Sequence, residues 1–543
     1  MNEQLPVDPA ALAAENAMLK EQLSAVTEIG IALSAERDLH SLLRTILTQA
    51  RRLARADAGS LYLVEGDRRD KLRFVLAQND SLQVPFVEMV LDVTSKSIVG
   101  HATRTKQTIN LADAYKIPDD AEFSYSTKFD ESVGYRCKSM LVIPMIDHRD
   151  RVTGCLQLIN RKPTVDLKIE GPKHAESVVL PFPEGTRRLM EGLASQSAVA
   201  IDKARLIDDL ENTFEGLVRA SVIAIEARDP TTSGHSERVA TLSVEMAKAV
   251  SETGQGKFKD VSFSGSQLKE LRYASLLHDF GKVGVREHVL IKAKKLYPWE
   301  LENVRLRFVA ALREREARGL RELVGNLCRV AKDGFDPQPF VEAAEAAIRV
   351  EGERLMELLD MVLRDNEPRV LPEGHAEQLG LLHDEGYTDV DGHRCPLLLD
   401  HEVSNLQIPR GSLNRDERLE IESHVAHTYR FLSRIPWTEE LRELPKIAGS
   451  HHEKLDGSGY PHGLTDQEIP PQAKIMTVAD IFDALTAWDR PYKKALPLEA
   501  ALSILDAEVK ANHVEPELVE LFKERRIYDK VMRASGTGRI PRD

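Results

Sequence analysis

Residues 451–461 read His-His-Glu-Lys-Leu-Asp-Gly-Ser-Gly-Tyr-Pro. Two adjacent imidazoles, a carboxylate and a glycine-rich turn combine metal-ligating side chains with a backbone that lets a charged substrate come close. Taken alone the stretch is only suggestive. Its weight comes from residues far away in the chain: His278-Asp279, His235, His424 and Asp480.

Each of these stands in a patterned segment. In LKELRYASLLHDFGK (268–282), His278 follows Leu271 by seven residues and so shares the core face of a helix. A buried His-Asp pair without a partner is costly, and a metal that coordinates both removes the cost. Lys282 lies one turn beyond His278, placed for a phosphate or for a plain salt bridge. DERLEIESHVAHTYRFL (416–432) is a second core helix in which His424 and His427, one turn apart, are both open as ligands. QAKIMTVADIFDALT (472–486) puts Ile475, Val478, Ala479 and Phe482 on an apolar stripe, with Asp480 and Asp483 beside it. DPTTSGHSERVATLSVEMAKAV (229–250) begins with turn residues and continues as a helix; His235, near its start, reads by itself as a capping or solvated side chain.

Composition sets bounds. The 543 residues suffice for three or four domains at roughly 150 residues each. Apolar content of 42% with 29% charged residues is that of a soluble globular chain. A net charge of -14 argues against non-specific nucleic-acid binding. It leaves an anionic substrate open, because a metal supplies its own positive charge. The cysteines at 137, 155, 328 and 395 show no paired spacing, as expected of a reducing compartment. No apolar run approaches the roughly 20 residues of a membrane span, and MNEQLPVDPA has no signal core. Together these point to a cytoplasmic protein.

The N-terminal part differs in character. Residues 9–55 read as helix, with Leu12, Leu19, Val26 and Leu33 at heptad spacing; a dimer seam and an amphipathic helix packed on its own domain both fit. GSLYLVEG and KLRFVLAQND form a hairpin, SIVGHATRTKQTINL a short helix running into a strand, and SMLVIPMIDHRDRVTGCLQLINRK a second hairpin turning at Asp147–Asp150. An antiparallel sheet flanked by helices is the implied architecture. This order, with Pro144, Gly154 and the strand into Asn160, resembles a GAF domain, placed at residues 24–185 after an N-terminal helix at 1–23. Some GAF domains bind cyclic nucleotides through an Asn-Lys pair, a Phe and an Asp-Glu pair. Here Asn160-Arg161, Phe182 and Glu184 correspond in part and the Asp-Glu pair is missing. The expected GAF ligand is a small molecule or cyclic nucleotide, with an unliganded dimerisation module as the alternative. Residues 186–218 read as a connecting helix.

LLHDFGK, HHEKLDGSGYP and ADIFDALTAWDRPYKKA, in that order, resemble the HD-GYP branch of the HD metal-dependent phosphohydrolases. The resemblance implies an all-α domain over 219–543 and metal ligands His235, His278, Asp279, His424, His451, His452 and Asp480. It prefers His424 to His427, assigns catalytic roles to Asp279, Lys282 and Asp483, and places Lys282, Tyr460, Arg490 and Lys493 against the substrate. Asp229 and Glu453 look like supporting groups, and Thr231, where some members carry a third-metal glutamate, favours two divalent ions, iron or manganese. The implied reaction is hydrolysis of cyclic di-GMP to linear pGpG, with GMP as the product of a second cleavage, in a signalling homodimer. A different nucleotide substrate and a non-catalytic binding module are the rival readings. Residues 296–405 form an insertion, opening with two helices. Its later part, with the decoy His383-Asp384 and His375, His393, Cys395 and His401, reads as a solvated irregular loop or a zinc site.

Overall fold

The computed structural model describes residues 27–534 except 34, 37, 67, 84–87, 95, 229–233, 333–334 and 488–494. The N-terminal heptads before residue 27 lie outside the described residues. The chain divides into two compact units, Met1–Glu215 and Gly216–Asp543.

The first unit is built on one antiparallel sheet of β1 (Ala56–Glu65), β2 (Lys71–Asn79), β3 (Met89–Asp92), β4 (Ile109–Leu111), β5 (Met140–Ile146) and β6 (Val152–Arg161), in the order β3-β2-β1-β6-β5-β4. Alternation along the strands feeds two cores. Leu61, Leu141, Ile143, Leu156 and Leu158 pack with the helix Leu39–Ala54 and with Met190, Leu193, Ala198 and Ile201 of a later helix. Met140, Val142 and Cys155 face the other way, onto Ile98, Val99 and Ala102 of the helix Ile98–Thr105. The β5–β6 turn is held by Asp147, whose Oδ1 accepts from the amides of Arg149 and Arg151 at 2.9 and 2.8 Å.

A single helix runs Glu184–Arg228, through Gly192 and Gly216 without a break. Its first half is not a free connector. Met190, Leu193, Ala194, Ala198, Ile201 and Ala204 belong to the core of the first unit, so the domain extends about twenty residues beyond the expected end at 185.

The second unit is helical. His235–Glu252, Gly265–Leu277, Arg415–Leu432, Leu444–Ala448 and Pro471–Thr486 surround the candidate site. Two of them start with reciprocal caps, Ser264 with Gln267 and Asn414 with Glu417. The insertion is not the irregular loop expected for its later part. After helices Pro298–Val330 and Gln338–Asp365 come helix His375–Asp384, a small hairpin of Gly386–Thr388 with Arg394–Pro396, and helix Asp400–Leu406. That hairpin departs from the expected all-α domain. Leu296, Val304, Phe308, Leu359, Val362, Leu379, Leu397 and Leu406 give the insertion a hydrophobic core of its own. Among the described residues no helix is long and apolar enough to cross a membrane.

Candidate metal centre

His278 ends the helix Gly265–Leu277, with Asp279 just beyond it; His424 lies in Arg415–Leu432, His451-His452 follow Leu444–Ala448, Asp480 lies in Pro471–Thr486 and His235 opens His235–Glu252. The seven side chains fall into overlapping groups, His424-His451-His452, His278-His451-Asp480 and His235-His278-Asp279, each with ligand atoms within 4.8 Å of one another. Separations along the chain of up to about 245 residues collapse into one cluster, because the core stripes that carry these residues face one another. His451 is wholly buried, and His235, His278, Asp279, His424 and Asp480 are buried as well; His452 is half-buried.

Three imidazoles share one local device. Nδ1 of His278 lies 2.7 Å from the carbonyl of Ser275, Nδ1 of His451 2.7 Å from that of Ala448, and Nδ1 of His424 2.5 Å from that of Ile421. A carbonyl only accepts, so each Nδ1 carries the proton and each Nε2 keeps its lone pair. All three Nε2 atoms are buried without a hydrogen-bond partner. An orphaned buried acceptor costs about 1–3 kcal/mol; three in one pocket beside two carboxylates are what a divalent cation satisfies. The donor set, imidazole nitrogen with carboxylate oxygen, suits iron, manganese or zinc.

The electrostatics agree. Burial pushes His278 and His451 below the usual imidazole range and His452 to about 4, so these rings are neutral. Burial opposes ionisation of Asp279 and Asp480, but Lys282 beside the first, and His235 beside the second, hold both below the usual carboxylate range. Burial also works against a proton on His235, yet Asp480 Oδ1 at 3.2 Å and Asp483 Oδ2 at 2.8 Å outweigh it and hold that ring at about 9. A cation between His235 and Asp480 would take that proton's place.

Lys282 Nζ is 2.8 Å from Asp279 Oδ2, at the edge of the cluster. Asp483 accepts from His235 Nδ1 and, through both oxygens, from Arg238, at 2.6 Å from Nε and 3.0 Å from the second nitrogen. The Tyr460 ring lies 4.9 Å from that of His452, and its amide donates to the His452 carbonyl at 3.2 Å. The Glu453 carboxylate accepts from the amides of His462 and Leu464, each at 2.8 Å, and pins the loop after Pro461. Gly459 is needed there, since a Cβ would come within 2.6 Å of Lys454 N, Glu453 Cα and His452 O. His427 points elsewhere, against Gly284. Asp229, Thr231, Arg490 and Lys493 lie outside the described residues.

Sequence reasoning passed over three supporting residues. Arg238 stands three residues after His235, a spacing that puts both on one helix side. Thr428 is one turn beyond His424; its hydroxyl donates to the His278 carbonyl at 2.9 Å and accepts from the Gly281 amide at 2.8 Å. Thr477 donates to the His451 carbonyl at 2.8 Å. Each of the three stands three or four residues from a ligand on its own helix, and that spacing is the signal legible in the chain.

The five metal-capable residues of the insertion do not gather. His375 pairs with Asp365 at 2.9 Å, His383 approaches Asp400 at 3.4 Å and His401 approaches Glu300 at 3.4 Å. His393 and Cys395 sit at the hairpin, where Asp389 Oδ1 accepts from the amides of Asp391 and His393 as in an ordinary Asx turn.

The first unit holds a cavity of about 1150 Å³, whose walls include Arg51, Ser60, Tyr62, Phe74, Tyr135 and Gln157. Asn160, Arg161 and Phe182, the partial cyclic-nucleotide match, do not line it. Asn160 instead bridges backbone, accepting from Lys138 N and donating to Arg136 O, each at 2.7 Å, and Phe182 is core.

Comparison with known proteins agrees with both halves. Residues 38–201 match the GAF domain family and residues 397–518 the HD domain family. The chain thus carries a GAF domain followed by a helical region with an HD domain. The 3'3'-cGAMP-specific phosphodiesterase 3 of Vibrio cholerae is 33% identical over 165 residues, 28% of this chain and 34% of that protein. The cyclic di-GMP phosphodiesterase response regulator RpfG of Xanthomonas campestris is 39% identical over 139 residues, 24% of this chain and 35% of that protein. A cyclic di-GMP phosphodiesterase of Thermotoga maritima is 35% identical over 153 residues, 27% of this chain and 39% of that protein. The chain spans about a third of the length of these curated relatives. Among solved structures, the GAF domain of an Acinetobacter phosphoenolpyruvate-protein phosphotransferase is 19% identical, covering 35% of this chain and 98% of that one at a TM-score of 0.26.

Proposed function

We propose that this chain is an HD-GYP phosphodiesterase that hydrolyses a cyclic dinucleotide, cyclic di-GMP first, to the linear pGpG and, by a second cleavage, to GMP. The observation that carries the reading is the set of orphaned Nε2 atoms of His278, His424 and His451, buried beside Asp279 and Asp480. His235, His278, Asp279, His424, His451, His452 and Asp480 would hold two divalent ions, iron or manganese. Such ions lower the pKa of water and neutralise charge gathering on phosphorus. The chain's own residues supply the rest. Lys282, beside Asp279, binds a phosphate oxygen and helps keep that carboxylate ionised. Asp483 fixes the His235 ring, Tyr460 forms a wall beside His452, and Arg490 and Lys493 take the second phosphate.

The relatives named for 3'3'-cGAMP make that dinucleotide the second reading. Full-length protein loaded with iron or manganese, assayed on cyclic di-GMP, 3'3'-cGAMP and a linear dinucleotide, should turn over a cyclic dinucleotide and bind about two ions per chain. His451→Ala and Asp480→Asn should each lose metal and activity together. Full metal occupancy with no turnover of any of the three would leave a nucleotide-binding module. Turnover of another nucleotide would place the chain elsewhere among HD phosphohydrolases.

The GAF cavity supports regulation by a small molecule or cyclic nucleotide, and the helix Glu184–Arg228 supports a homodimer as the signalling form. That helix carries Leu206, Leu210 and Leu217 exposed at 62%, 68% and 64%.

A further inference from the structure

The insertion contains a cavity of about 710 Å³ that neither the metal centre nor the GAF unit uses. Its walls come from the end of helix Gln338–Asp365, the segment Glu367–Pro372 and the start of helix His375–Asp384, with Lys295 beneath.

Its walls carry charges of both signs. Asp360, Asp365 and Glu367 are its carboxylates; Lys295, Arg364 and Arg369 are its cations. Glu367 is taken by Lys294 from outside the wall, at 2.6 Å. Asp365 is taken through both oxygens by His375 Nδ1, at 2.9 Å each. The walls thus hold three cations and three carboxylates, and two of the carboxylates, Asp365 and Glu367, are already engaged.

The cations also hold spare donors. The guanidinium groups of Arg364 and Arg369 have no partner among the described residues. Lys295 is fully buried in the floor, and its ammonium makes one hydrogen bond, to the Leu406 carbonyl at 2.8 Å. The Asp365 carboxylate, itself shared with His375, also acts on this ammonium, and a further anion above it would lower its energy. The helix His375–Asp384 begins at this wall with no side chain capping its first amides, and an uncapped helix start favours negative charge. Leu363, Val370 and Leu371 give the cavity an apolar side.

We propose that this cavity is a binding site for a small oxyanion-bearing effector, a phosphate or carboxylate with an apolar body, separate from the metal centre. Arg364 and Arg369 donate hydrogen bonds to the oxyanion, and Lys295 supplies buried charge from below.

The test is calorimetric titration of the metal-loaded full-length chain with inorganic phosphate and, in parallel, with succinate, which tells the two oxyanion classes apart. Phosphate also suits the metal centre, so Lys282→Ala serves as the control there. Wild type and Lys282→Ala should both show the insertion site. Arg364→Ala/Arg369→Ala, both changes being on exposed side chains, should lose it or bind about tenfold more weakly. Lys295→Met should do the same, and circular dichroism should show it folded; if it does not fold, the arginine pair decides. Binding in the arginine double variant equal to wild type overturns the proposal. So does binding that Lys282→Ala abolishes, or heat from neither titrant.

Discussion

At the scale of single residues, the centre depends on side chains that position others. Arg238 grips Asp483 through two hydrogen bonds, and Asp483 in turn holds His235 Nδ1. Such an outer carboxylate fixes ring orientation, and its loss costs roughly 10–100-fold in metal affinity. Arg238→Ala and Asp483→Asn should therefore weaken metal binding by about that factor, read by competition with a chelator. Equal affinity would show that packing alone orients His235. Arg238 also explains how Asp483 stays ionised: burial disfavours the charge, and His235 and Arg238 together restore it.

Gly281 shows the same dependence in another form. A Cβ there would lie 1.8 Å from the His424 carbonyl and 2.6 Å from Thr428 N. No rotamer relieves a clash with backbone. Gly281→Ala should push the Arg415–Leu432 helix away from the His278-Asp279 segment, destabilise the protein by about 1–3 kcal/mol or more and release metal. A Gly281→Ala protein with full metal content would show that the two segments can part without moving His424.

At the scale of elements, the insertion and the segment leading into it are tied to the helix that carries His424. Lys292 Nζ meets both oxygens of Glu417 at 2.8 Å, and the Tyr297 hydroxyl donates to Glu417 at 2.7 Å. Glu417 sits two turns before His424 and also serves in the reciprocal cap with Asn414. The pair is nearly inaccessible, with Lys292 at 1% and Glu417 at 9% exposure. Removing one partner of a buried pair costs about 3–5 kcal/mol, whereas replacing both with apolar groups can be neutral. Lys292→Met should lower the urea midpoint accordingly, and Lys292→Met/Glu417→Leu should recover part of the loss. The pH dependence has a definite sign. Burial tends to raise the pKa of Glu417, but Lys292, the Asn414 amide and Tyr297 hold it below the usual glutamate value. Its stabilisation is thus fully present above about pH 4.3 and is lost as pH falls toward the depressed value. Lys292→Met should flatten that acid-side loss.

At the scale of the whole molecule, Glu184–Arg228 is a member of the first unit's core before it is a connector. Deleting residues 1–185 would strip the partners of Met190, Leu193 and Ile201, so the informative change lies further along. Leu210 is exposed and comes after the last core residue, Ala204. Two residues inserted there should rotate the downstream part of the helix by about 200°, and seven should roughly restore the phase. If the helix transmits a signal, the two-residue variant should alter the catalytic rate at unchanged metal content, and the seven-residue variant should resemble wild type. Equal rates in all three would make the helix a passive spacer.

Much of this architecture was legible in the chain. The hairpins of the sheet follow from apolar runs broken by polar turns, and His278 and Asp480 stand beside apolar stripes of helical period, because burial and periodicity are local properties; His235, taken alone, reads as a capping side chain. His424 against His427 was not settled by periodicity, since both lie one turn apart on the same helix; only packing, which turns His427 onto Gly284, separates them. The order within the later insertion was hidden, because its core is assembled from short apolar segments that have no period of their own until Val304, Phe308, Leu359 and Val362 cover them. The carbonyls of Ser275, Ile421 and Ala448 that set the tautomers, and the Arg238–Asp483–His235 relay, belong to the tertiary structure alone. Hydrogen-bond geometry depends on distances and angles between parts of the chain that sequence spacing does not encode.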